Sequence, residues 1–394
     1  VAQRAKERPV TTDLAVLVGN GLSMAFNPDL SLREITQEML TRIESEVDGG
    51  DSVTAAMKAV AEHALPAGVT SDSDFEILVG AFGTEQRTLT FLSQLASALH
   101  PSDTQLKDAI GKTLDFAVRV RDMGISHVLE VIFERSYARA DLSTGLYELI
   151  GTVLENFDGR ITFGNLNYDT LLLAGLLEMG KDDLADLGHG YRQVVVTTES
   201  GEHRVPALRR EADFPLSRRL RLLQLHGSLT FWKHEATDIY LKLDTTFLRK
   251  DSVWRQIRDG GVEVRPVVVL ANQQDKSAHV EEYPFSLAYS SFREQLRLTG
   301  HWLIVGYSFR DGCVNEMLRD EFLRRDRLDK PLVLVVTLGE EPASQAVERA
   351  LGWGAEDGSS SDWLSIARCG AADMSRSPEW EGFVASGSGA TAPP

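Results

Sequence analysis

Six short, uninterrupted apolar runs govern what this chain can fold into. They lie in LAVLVG (14–19), GRITFGNLNYD (159–169), LRLLQLHGS (220–228), VRPVVVLAN (264–272), HWLIVGYS (301–308) and PLVLVVT (331–337). Runs this short that do not alternate with polar residues read as strands buried on both faces. Between several of them apolar residues recur every three or four positions, in TLLLAGLLEM (170–179), FSLAYSSFREQLRLTG (285–300) and CVNEMLRDEFLRR (313–325). That is the period of a helix with one buried face. Strands alternating with helices predict an α/β fold, a Rossmann-like parallel sheet flanked by helices.

One long stretch breaks the alternation. From 30 to 155 the pattern is helical, as in TLTFLSQLASALH (88–100), LKDAIGKTLDFAVRVRDMG (106–124) and GLYELIGTVLENF (145–157). We therefore expect a sheet domain made of 13–29 plus 156–385, interrupted by a mostly helical insertion at 30–155. Residues 1–12 read as a flexible lead, 180–219 as loops with a short hairpin, and SGSGATAPP (386–394) as a disordered tail.

Charge and composition narrow the function classes. The 58 acidic residues outnumber the 41 basic ones, for a net charge of −17. Repulsion from phosphate backbones then argues against direct nucleic-acid binding. No apolar run approaches the roughly 20 residues that cross a bilayer, and VAQRAKERPV lacks the apolar core of a secretory signal, so no membrane association and a cytoplasmic location are expected. Two cysteines, Cys313 and Cys369, build neither a disulfide framework nor a four-cysteine zinc site, and the nine histidines show no ligand spacing. No metal is expected.

In an open parallel sheet, ligands bind where strands end and helices begin. Four such ends carry polar residues. In GNGLS (19–23), Gly19 and Gly21 allow a sharp turn around Asn20, and Ser23 opens a helix whose N–H groups suit a pyrophosphate. The alternative is a plain strand–helix turn with Asn20 left-handed. In NLNYD (165–169), Asn167 and Asp169 follow an apolar strand; either one serves equally as a helix cap. In LHGSL, His226 stands at a strand end before a glycine, where imidazole suits proton transfer near neutral pH. In VGYSF, Gly306 and Ser308 offer close approach to a ribose or phosphate, with Asp311 as an N-cap beyond them. IGKT (110–113) is no phosphate loop, since Leu106 stands where its first glycine belongs.

Taken in order, GNGLS, NPDL (27–30), NLNYD, LHGSL and VGYSF resemble the motifs of the sirtuin-like family, nearest to its bacterial anti-phage branch. That branch lacks the zinc module, as this chain's two cysteines require. The resemblance implies NAD as substrate, cleaved at the nicotinamide–ribose bond. It implies that Asn167 holds the ribose and the attacking water and that His226 is the general base. It places Gly19, Asn20, Gly21 and Ser23 at the pyrophosphate, Asp29 and Asp169 near the nicotinamide amide, and Gly306 and Ser308 on the adenosine side. It further implies an effector of defence that depletes NAD, regulated by homo-oligomerisation or by a partner such as a HerA-like ATPase, a short Argonaute or a phage trigger protein. Two other readings stay open: a non-catalytic NAD or ADP-ribose sensor or scaffold, and an NAD-dependent deacylase or ADP-ribosyltransferase.

Overall fold

The computed structural model describes residues 12–62, 74–138, 144–188, 192–198, 201–234, 237–249, 251–259, 264–270 and 273–387. Its strands in chain order are β1 (Leu14–Val18), β2 (Ile161–Asn165), β3 (Leu184–Asp186), β4 (Gln193–Thr198), β5 (Gly201–Pro206) and β6 (Leu220–Gln224). They continue with β7 (Gly227–His234), β8 (Ile239–Lys242), β9 (Val264–Val268), β10 (His301–Val305), β11 (Leu332–Val336) and β12 (Leu364–Ala367). Seven of these form one sheet in the order β12-β11-β10-β1-β2-β6-β3, every neighbouring pair parallel.

The helices before β2 are α1 (Asn20–Phe26), α2 (Leu32–Glu46), α3 (Gly50–Glu62), α4 (Phe75–Leu99), α5 (Thr104–Ala138) and α6 (Thr144–Asn156). Those after it are α7 (Leu171–Gly180), α8 (Thr245–Leu248), α9 (Asp251–Asp259), α10 (Gln273–Val280), α11 (Phe285–Leu298), α12 (Gly312–Leu323), α13 (Ser344–Ala350) and α14 (Pro378–Gly387). Alternate residues of β1 face opposite layers, as the period of a strand requires. Leu14, Val16 and Val18 pack with α6, α7 and α14 through Ile150, Leu172 and Trp380. Ala15 and Leu17 pack with α11 and α12 through Phe292 and Met317. Both faces of the sheet are thus covered, which is why its strands read as unbroken apolar runs.

The structure corrects two points of the sequence reading. VRPVVVLAN does not join the parallel sheet: β9 pairs antiparallel with β7, which also pairs antiparallel with β8. The apolar run after β6 ends at a corner, where Gly227 takes φ +85° and the chain turns out of the central sheet. A side chain there would strike the Val267 carbonyl. Two edge strands, β3 and β12, were not expected; at three and four residues they are too short to show a pattern.

The segment 32–138 is helical among its described residues, but its core is not its own. Met39, Leu78, Val128 and Ile132 pack with Trp232, Leu241 and Trp254 of the smaller sheet and its helices. Helix α6 lies with the central sheet instead. The hairpin within 180–219 is β4–β5. Of the lead and tail, residues 1–11 and 388–394 lie outside the described residues, and Ser386 and Gly387 close α14. No helix among the described residues is long and apolar enough to cross a membrane.

Candidate functional site

Register brings the candidate residues together. Val305, Val18, Asn165 and Gln224 are level across β10, β1, β2 and β6, so the residues just beyond them form one row. The chain leaves β1 to build β2, β3 and β6 on one side and later returns to build β10, β11 and β12 on the other. The topological switch point of the sheet lies between β1 and β10, where a crevice is expected.

At that point two turns interlock. Gly21 donates its N–H to the Gly306 carbonyl at 2.9 Å, and Leu22 donates to Gly19 O at 3.0 Å. A Cβ on Gly21 would lie 2.6 Å from Gly306 Cα, and one on Gly19 would lie 2.6 Å from Gly306 O. Gly306 itself takes φ +64°. These glycines therefore serve backbone-against-backbone packing, and two N–H groups at the start of α1 are committed within the protein. Asn20 is the first residue of α1 and is not left-handed; Gly19 precedes it in an extended conformation. Asn20 and Gly306 are half-buried, and Ser308 is exposed just beyond them.

The second strand end converges on α1. Asn167 donates from Nδ2 to Gly19 O at 3.1 Å and to Ser23 Oγ at 2.9 Å. Ser23 in turn donates to Asp169 Oδ2 at 2.6 Å. The nearby carbonyl dictates which way the Asn167 amide faces, and both its protons are committed, so Oδ1 is the atom left to accept from a ligand. Asp169 Oδ1 also accepts from Leu171 N, the first residue of α7, at 2.9 Å, while Thr170 is the N-cap position; burial pushes the Asp169 carboxyl above the usual range, against the hydrogen bond from Ser23. Beneath this cluster Asn165 Nδ2 donates to Gln224 Oε1 at 2.9 Å, and Asn165 Oδ1 accepts from Asn167 N at 3.2 Å. Two buried amides thus tie the ends of β2 and β6 together.

His226 stands at the corner between the two sheets, 4% exposed. Its backbone carbonyl accepts from Val269 N at 2.9 Å. Its Nε2 lies 3.3 Å from Tyr289 Oη and 3.4 Å from Asp311 Oδ2. Asp311 caps α12 through Oδ1, accepting from Val314 N at 3.0 Å, while Oδ2 meets Lys276 Nζ at 2.7 Å. Lys276 lies 3.4 Å from Glu76 Oε2 on α4, and Tyr168 donates to Glu76 Oε1 at 2.6 Å. Burial and the Lys276 ammonium push the imidazole down to about 4, against the upward pull of Asp311 and Glu76. Burial opposes the charge on Asp311, but Lys276 and His226 hold its carboxyl below the usual range. At neutral pH His226 is therefore an uncharged base beside a carboxylate.

Of the residues expected from sequence, Gly19, Ser23, Asn167 and Asp169 form one hydrogen-bonded group, and His226 lies on the adjoining strand end. Asp29 is half-buried and held from outside the sheet: its carbonyl accepts from Arg135 of α5 at 2.6 Å, and Asn27 donates to Arg135 O at 3.1 Å. Lys276, Glu76, Tyr289 and Asn165 were not anticipated. Lys276 sits in a polar stretch without periodicity, and Glu76 is 200 positions away from it, so no local pattern pairs them. Among the described residues no group of three or more His, Cys, Asp or Glu side chains is placed to hold a metal ion.

No family model matches the chain, and no curated protein matches it by sequence. Among solved structures it is similar to one described as "Structural Basis for the Mechanism and Regulation of Sir2 Enzymes", at 11% identity and a TM-score of 0.35, over 96% of this chain and 92% of that one. The assignment of this chain to a parallel α/β fold rests on its own sheet order and register.

Proposed function

We propose that the chain is an NAD glycohydrolase, cleaving the nicotinamide–ribose bond to give nicotinamide and ADP-ribose. The observation that carries this reading is the placement, on adjoining strand ends, of the Asn167 amide, whose Oδ1 is left to accept, and the buried His226 imidazole beside Asp311. Loss of nicotinamide with its bonding electron pair leaves an oxocarbenium-like ribose. That centre calls for a positioned water and a base to take its proton, not a strong acid. Asn167 Oδ1 orients the ribose hydroxyl or the water; the water oxygen bonds to the anomeric carbon, and its proton passes to His226. Asp311 stabilises the imidazolium that forms.

Ser23, Asn167, Asp169 and His226 are each at most 6% exposed, so access to the site requires movement. This supports a regulated enzyme, opened by self-assembly or by a partner. In the family resembled, such partners include a HerA-like ATPase, a short Argonaute and a phage protein, and the role is defence through NAD depletion. The test is nicotinamide release from NAD by the purified chain, alone and with candidate partners. Wild type should turn over, and Asn167→Ala and His226→Ala should each fall by about 10²-fold or more. Equal turnover by all three proteins would sink the assignment.

A further inference from the structure

The titratable groups around His226 come from several elements: Tyr289 from α11, Lys276 from α10, Asp311 from the start of α12, and Glu76 from α4 with Asp74 beside it. Glu76 and Asp74 belong to the helical segment that contributes no strand end. A buried ammonium is costly to desolvate, and apolar side chains would tie helices together more cheaply. Lys276, 6% exposed, has one carboxylate on the sheet side and one on the helical side.

We propose that Lys276 is a positioning residue that couples the helical insertion to the catalytic base, its ammonium bridging Glu76 and Asp311 and so fixing the Asp311 carboxylate against His226 Nε2. The role of His226 in catalysis rests on the NAD-cleavage reading; the coupling is a property of the charges and stands apart from it. With His226 neutral, Glu76, Lys276 and Asp311 carry a net charge of about −1. Moving α4 away removes one negative charge from the set and leaves Lys276 facing His226 with Asp311 alone. A shift of α4 away from Lys276 is thereby converted into a weaker base. Lys276 and Glu76 act through Asp311 and need not touch the substrate.

The test follows the ring of His226 by NMR in the full chain labelled at histidine, with His226→Gln to assign the signal. Lys276→Met should raise the His226 midpoint by about one to three pH units, the range seen when an opposing charge is lost. Lys276→Arg should restore it, and Glu76→Gln should lower it. If NAD is cleaved, the acid limb of kcat/KM should move in the same directions. A His226 midpoint that is the same in wild type, Lys276→Met and Glu76→Gln overturns the coupling, even if the variants lose thermal stability. Should Lys276→Met fail to fold, Glu76→Gln alone decides, since its carboxylate lies at the more exposed end of the chain of charges. Wild type that cleaves no NAD sinks the proposed function while the titration still judges the coupling. Cleavage with an unmoved His226 midpoint sinks the coupling alone.

Discussion

At the scale of single residues, His226 and Asp74 respond to pH in opposite directions. The imidazole is pushed down to about 4 in the folded protein, so the unfolded chain binds that proton more readily. Its contribution to stability is complete above the ordinary histidine value of about 6.5 and is lost as pH falls through 4. Denaturant unfolding of wild type and His226→Gln between pH 7 and 4 should show the larger loss in wild type. Asp74 behaves the other way. Burial, and then Glu76, raise its carboxyl to about 6, so its contribution is present below the ordinary aspartate value and is lost as pH rises through 6. Asp74 caps α4 by accepting from Glu76 N at 2.9 Å, a task asparagine performs equally well. Asp74→Asn should therefore stabilise the protein at pH 8 by on the order of 1–3 kcal/mol and have little effect at pH 4. Unfolding midpoints that shift equally at both pH values would refute this.

Among elements, the β1–α1 and β10–α12 turns act as one unit. Each was legible as a strand, a glycine and a helix start, and each permitted a phosphate-binding reading. Neither sequence stretch could show that the two turns fill one another. Gly306→Ala forces a non-glycine residue to φ +64° and drives its Cβ into the Leu22 amide. We expect a loss of at least about 2 kcal/mol, measured by thermal or urea unfolding. Gly111→Ala, in the interior of α5 with open space around it, is the matched control and should be neutral or slightly stabilising. The same comparison separates packing from ligand binding. If Gly306→Ala kept full stability and lost only NAD turnover, the glycine would belong to the substrate and not to the fold.

For the whole molecule, the sheet domain and the helical segment are joined by polar and by apolar contacts. Lys276–Glu76, Tyr168–Glu76, Arg135–Asp29 and Arg258–Glu130 are among the polar joins, and the core shared by α5, β7 and α9 is an apolar one. Phe133 and Trp232 each stand 6.1 Å, centroid to centroid, from the Trp254 ring. Trp254→Ala should cost about 3–5 kcal/mol. In hydrogen exchange, α5 and β7 should lose protection together, as one cooperative unit. Loss confined to α9 would show that the helical segment folds independently of the smaller sheet.

The amino-acid sequence by itself determined the layer architecture and four of the strand ends. Continuous apolar runs mark strands covered on both faces, and the polar residue that ends such a run is conspicuous, which is how Asn167, Asp169 and His226 were found. Asp311 was visible as a cap, but its second oxygen was not visible as a partner of His226. Only the tertiary structure decided that β9 lies antiparallel in a second sheet. Strand direction depends on where the chain goes after Gly227, and apolar content does not record it. Tertiary structure alone also brought Glu76 to Lys276. A buried charge is held by whatever opposite charge the packing delivers, and Coulomb attraction leaves no periodic trace along the chain.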